Sequence, residues 1–391
     1  MTNQRTISPL PAAAQQTEDE VQSQWNRVVG RRSFLKGVGL AGAAMLPGGA
    51  LLASRAMGDP ARKISEGDVA ILRFLAAVEL LESDLWQQYN ELGGVNGGNP
   101  SYMAALSNLD GDMPQYIADN TDDEESHATF LNAYLQSKGA RAVNLDAFRT
   151  LPSSKATGAN QIGRLTNLQA LDVDTSWYVR YRSELSPDFG ATFPQAVTIN
   201  NQPAIPINDE DTPPGTEQPV PPATEHARRM QAIANTAGFH FAYIEQGGSS
   251  LYSTMALKAS GLETLLIVVS IGGVETNHFS LWHDKAGNAV AEPLAGVVDP
   301  ETGLSFPDLN KKGGELNQTN LILPEPTQFI SKGLPACSVV RPTLDQNAGA
   351  VATINSFTDD QLFKGQSPRF FNTIMGLARA ADAAERRISD R

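Results

Sequence analysis

Two short segments constrain this chain more than anything else in it: Glu124-Glu125-Ser126-His127 and Glu275-Thr276-Asn277-His278. Each sets a carboxylate three residues before an imidazole, inside a run whose apolar residues recur at helical spacing. On a helix, such residues share a face about a turn apart, so both side chains reach one metal ion. Of the five histidines (His127, His226, His240, His278 and His283), only His127 and His278 have this partner. Both pairs fall on the apolar stripe of their helix. A carboxylate facing a core is costly unless a partner or a metal compensates it.

The helices around these pairs come in two sets. The first runs over 65–90, with Ile71, Leu75, Val78, Leu85 and Tyr89 on one stripe, and ends at Gly93-Gly94. A polar loop leads to the second, over 114–138, with Asp112 as N-cap and Gly139 as stop. The third spans 224–259 and the fourth 262–285, whose Leu265–Ile271 segment is apolar all round and predicted to be deeply buried. Each Glu-x-x-His helix follows a helix with a carboxylate two turns before a tyrosine: Glu82 before Tyr89, and Glu245 before Tyr252. Glu79 competes with Glu82, which is preferred because it lies on the stripe with Val78, Leu85 and Tyr89. The chain thus repeats one unit, and two copies packed about a pseudo-twofold axis bring four carboxylates and two imidazoles together.

Four carboxylates offset two divalent cations. A majority of hard oxygen ligands with a minority of imidazole suits iron or manganese better than zinc or copper. The single cysteine, Cys337, supplies neither a disulfide nor a cysteine-based metal site, and reads as a small buried residue. His240 and His283 stand five residues from Glu245 and His278, a poor interval for sharing a face, and read as hydrogen-bonded core or surface histidines. His226, after a Pro-rich linker, is expected to be exposed. Gly247-Gly248, directly after Glu245, fits close helix packing, a π-bulge or ligand access.

With 41% hydrophobic and 19% charged residues the chain has ample material for a core, and its net charge of −13 disfavours nucleic acid and anionic lipid as partners. Arg31-Arg32-Ser33-Phe34-Leu35-Lys36 is a twin-arginine signature, followed by a Gly/Ala-rich apolar stretch to Ala53 that is too short and interrupted to anchor stably in a membrane. Residues 1–56 are therefore expected to be a signal peptide handled by the twin-arginine translocase, giving a periplasmic or secreted protein. Residues 57–140 form the first helix pair, 141–223 a crossover insertion with strand-like pieces at 177–182 and 196–199, and 224–286 the second pair. Residues 287–391 form a loop-rich C-terminal extension ending in an amphipathic helix over 368–387 that suits packing or a homo-oligomer contact.

The whole pattern resembles the ferritin-like di-metal carboxylate superfamily, which includes bacterioferritins, rubrerythrins and manganese catalases. The resemblance covers about 65–140 and 224–286. It implies a mainly α, four-helix-bundle fold in which Glu82, Glu124, His127, Glu245, Glu275 and His278 hold two iron or two manganese ions. Tyr89 and Tyr252 correspond to tyrosines that hydrogen-bond within that core. The implied activity is an oxidoreductase acting on peroxide or dioxygen, of catalase or peroxidase type. The long crossover argues against a storage shell, and no cysteine-based electron-transfer module is attached. The outline also resembles exported, desiccation-related ferritin-like proteins, which implies the alternative of a non-enzymatic, stress-protective envelope scaffold.

Overall fold

The computed structural model describes residues 64–180, 194–211, 221–313, 331, 333–335 and 349–387. The twin-arginine segment and Cys337 lie outside the described residues. Among these residues the structure is helical, with only isolated β-bridges such as Leu151 to Arg164 and Leu171 to Gln202.

Helix α1 spans Glu66–Gly93 and starts where the Ser65 hydroxyl accepts from the Asp68 amide. Helix α2, Pro100–Leu109, occupies the segment expected as loop; Asn99 caps it and Pro100 opens it. Helix α3 is Met113–Ser137. Asp112 stands at its N-cap but makes no side-chain capping bond, and the Asp110 carboxylate accepts from the Asp112 amide instead. Helix α4 is Glu225–Lys258, capped by Thr224, and helix α5 is Leu262–Ala289. Helices α1 and α3 pack as one pair and α4 and α5 as the other. Beyond them come α6, Ala350–Asp359, which sequence patterning missed, and α7, Pro368–Asp382.

Nearly every residue in the middle of α1 and α4 is buried, polar ones included. Helix α5 is different. Ile267, Val268 and Ile271 are buried, whereas Leu262, Leu266 and Val269 are exposed, so the Leu265–Ile271 segment is not enclosed on all sides. Only its inner face meets α4. By length and composition α5 could cross a membrane, yet it packs as the fourth bundle helix and carries Glu275 and His278 on its buried face.

Among its described residues the insertion has no strands, and 181–182 of the expected piece at 177–182 lie outside them. Residues 177–180 form a helical turn, and 196–199 begin with a bend at 196–197 and carry no strand. It is fastened to α1 at one buried carboxylate. Asp84 accepts from the backbone N–H groups of Leu165 and Thr166 at 2.9 Å each, from the Thr166 hydroxyl at 2.7 Å and from Arg149 at 2.5 Å. A carboxylate so completely bonded repays its desolvation. The C-terminal extension joins the same assembly: the Gln366 amide donates to the carbonyls of Phe148 and Leu165. Helix α7 packs on α1 and on α6, where Asp382 accepts from the first two amides of α6, Ala350 and Val351.

Candidate metal centre

Helices α1, α3, α4 and α5 bring Glu79, Glu124, His127, Glu245, Glu275 and His278 into the bundle interior, all buried. They form two overlapping groups, Glu79–Glu124–His127–Glu275 and Glu124–Glu245–Glu275–His278, each with one ligand atom per residue within 4.8 Å of the others. Glu124 and Glu275 belong to both. The Nδ1 of His127 faces Glu124, Glu79 and Glu275 at 3.2, 3.3 and 3.4 Å. The Nδ1 of His278 faces Glu124 at 3.1 Å and Glu245 at 3.2 Å. One ring nitrogen offers one proton or one lone pair, so three carboxylates around it are arranged for a shared cation, not for hydrogen bonding to the ring alone.

The fit to metal rests on unmet valence. Among the described residues, both Glu275 oxygens, Glu79 Oε2 and both Glu82 oxygens are buried without a hydrogen bond. Burial, then the charges of Glu275, Glu79, Glu124 and Glu245, push the Glu82 carboxyl well above its usual range. Burial likewise raises Glu79 and Glu275, and lifts Glu245 to about 8. Burial opposes charge on both histidines, but the carboxylates facing them outweigh it and hold both imidazoles well above the ordinary range. Without metal the centre therefore retains protons in place of cations.

Helix α1 contributes a different residue from the one its stripe favours. Glu79 enters the His127 group, while Glu82, one turn further, lies outside both groups but within their electrostatic reach. The stripe could not discriminate, because α1 is buried on almost every side and both positions face inward. With Glu79 aligned to Glu245, the residue two turns on is Trp86 in α1 and Tyr252 in α4. Tyr252 donates to Glu79 and so touches the cluster. Tyr89 does not; its hydroxyl pairs with His240 Nδ1 at 2.8 Å.

Four further residues support the centre. The Asn120 amide donates to Glu124 at 2.9 Å and Glu245 at 3.0 Å, and its oxygen accepts from Trp282 Nε1 at 2.7 Å. Asn120 sits one turn before Glu124 on the same face, which was a signal in the sequence. Asp123 reaches Nε2 of His278 at 3.1 Å from the protein surface. Gly248 explains its own presence inside a helix: a Cβ there would collide with the Glu275 carboxylate, so its hydrogen is what lets that carboxylate lie against α4. Gly272 does the same for Tyr252, whose Cβ would lie 2.8 Å from a Cβ at that position. His226 is exposed; His240 and His283 are buried and belong to neither Glu/His group.

A bundle carrying two such interleaved Glu/His groups defines a class of protein, and comparison with known families agrees with it. The ferritin-like domain model matches residues 67–288, the four bundle helices with the crossover between them. The chain belongs to the ferritin-like domain family. No curated protein and no solved structure gives a significant match.

Proposed function

We propose that this protein is an exported oxidoreductase with a carboxylate-bridged pair of iron or manganese ions, acting on peroxide or dioxygen. The observation that carries the reading is two imidazole Nδ1 atoms each faced by buried carboxylates, with oxygens of Glu79 and Glu275 left without a hydrogen bond. Glu79 with His127 would hold one ion and Glu245 with His278 the other, while Glu124 and Glu275 serve both. Two redox metals, when bound, supply the paired one-electron changes that reduction of an O–O bond requires. The protein's own part is positional and protonic. Asn120 fixes the oxygens of Glu124 and Glu245, Tyr252 fixes Glu79, and the buried Glu82 carboxyl keeps a proton beside the centre. Packing of all four helices excludes bulk water from the carboxylates.

Elemental analysis of protein isolated from its native compartment, followed by an oxygen-electrode assay with hydrogen peroxide, tests this reading. Two iron or manganese ions per chain with peroxide consumption supports it, as does loss of both in E124A/E275A. Two metals retained by that double variant would overturn the site, and a redox-silent metal would favour the scaffold alternative.

A further inference from the structure

A continuous line of aromatic and polar side chains leaves the centre and ends at a cavity. Trp282, bonded through Asn120 to Glu124 and Glu245, stacks on Trp86 with ring centroids 5.3 Å apart and planes 25° from parallel. Trp86 lies 5.7 Å from Tyr89, and Phe241 packs against all three rings. The Tyr89 hydroxyl meets His240 Nδ1 at 2.8 Å, and His240 Nε2 lies 3.2 Å from Asp360 Oδ2. Tyr89, His240 and Asp360 are all essentially buried. Neither Asp360 oxygen nor His240 Nε2 completes a hydrogen bond among the described residues, so the last pair is in reach but off angle. Asp360 also lines a cavity of about 370 Å³ with Asp172, Asp174, Tyr243 and Ser356.

Nothing in the fold demands this arrangement. A buried tyrosine needs one hydrogen-bond partner, which a backbone carbonyl supplies elsewhere in this protein, as Ala204 does for Tyr102. Tyr89 instead faces an imidazole backed by a carboxylate, the pairing that takes up a phenolic proton.

We propose that Tyr89 is a redox-active tyrosine, linked to the centre through Trp86 and Trp282, with His240 and Asp360 as its proton acceptors. The link to the centre rests on the di-metal reading above. In the step, Tyr89 gives one electron through the two indoles to the oxidised centre, and its phenolic proton passes to His240 Nδ1. His240 releases its Nε2 proton to an ionised Asp360 oxygen. A neutral tyrosyl radical, a neutral imidazole and a carboxylic acid result, and the triad's charge rises by one, matching the electron lost. Burial drives His240 down to about 3 and Asp360 well above its usual range, so the carboxylate is the stronger base of the pair, and the relay runs where Asp360 is ionised. The oxidising equivalent stops on Tyr89, and only its proton travels on to Asp360 at the cavity wall.

The test uses the full chain with its metal content measured, oxidised either by flash-generated tris(bipyridine)ruthenium(III) or by hydrogen peroxide, and read by electron paramagnetic resonance. The wild type should give a tyrosyl signal that falls at least fivefold in Y89F, which loses only a hydroxyl. H240Q and the isosteric D360N should lower its yield or lifetime at least tenfold, with melting temperature confirming that each is folded. A signal unchanged in Y89F, or unchanged in both folded proton-acceptor variants, overturns the relay. The two readings fail separately. A chain without metal that still forms the Tyr89 radical under the ruthenium oxidant defeats the di-metal reading alone. Two metals per chain with a Tyr89-independent signal defeats the relay alone.

Discussion

Asp123 stands 3.1 Å from Nε2 of His278, on the side of the ring turned away from the carboxylates, and its own side chain is 54% exposed. The corresponding position before Glu275 is Val274, so the two halves of the centre are not equivalent. Carboxylates behind a ligating imidazole fix its tautomer and raise its basicity. Asp123→Asn is expected to weaken one of two metal sites by about 10–100-fold. Titration with manganese or ferrous iron should then resolve one tight and one weakened equivalent per chain.

Glu79 and Glu82 should separate cleanly. Glu79→Ala removes a member of the His127 group and is expected to leave about one metal per chain by elemental analysis. Glu82→Gln should keep both. It also replaces a buried, unbonded carboxyl that folding holds protonated with a permanently neutral amide, so the metal-free protein should gain stability, and more of it as pH rises above the unfolded carboxyl range. Urea denaturation of metal-free protein measures that gain, and two metals lost in Glu82→Gln would reverse the assignment.

Gly248→Ala sets a methyl against the Glu275 carboxylate and should displace a side chain that belongs to both groups. Overpacking of this kind costs about 1–3 kcal/mol. Metal content is expected to fall further than stability does, and Gly273→Ala, where a Cβ meets nothing within 4 Å, is the control.

The pH dependence follows from protons standing in for metal. Glu245 is raised by burial to about 8, and Glu79, Glu82 and Glu275 are raised as well. A group raised on folding stabilises fully below its unfolded value and loses that contribution as pH rises through its folded value. The histidines, raised too, act in the same direction above their unfolded value near 6.5. Metal-free protein should therefore lose stability from about pH 5 to pH 8. Metal displaces those protons, so the melting-temperature gap between metal-bound and metal-free protein should widen over that range.

Much of this was legible in the residues and some was not. The Glu-x-x-His helices announced themselves because α3 and α5 each have one wet side, so a carboxylate on the dry stripe stands out. Helix α1 has almost no wet side, and periodicity there carries no information between Glu79 and Glu82. Tyr89 looked like a partner of the centre for the same reason, two turns from Glu82, which the two Glu/His groups leave out. Helices α2 and α6 are ten residues each, and their polar or turn-rich surroundings hid them. Asp360 was beyond reach, since its contact with His240 joins residues more than a hundred positions apart. Export, the metal's identity and the reaction are proposals that rest on sequence motifs and ligand chemistry.

The C-terminal helix gives the chain an order of events. Helix α7 packs against α1, the Lys258 ammonium at the end of α4 donates to the Asp382 carbonyl, and the Asp382 carboxylate opens α6, whose far end supplies Asp360. The first bundle helix to be synthesised is thus clasped by the last helix of the chain. A nascent polypeptide halted after 289 would hold all six Glu and His residues of the two groups but neither the clasp nor Asp360. The clasp and Asp360 are thus added to the bundle only after both Glu/His groups have been synthesised.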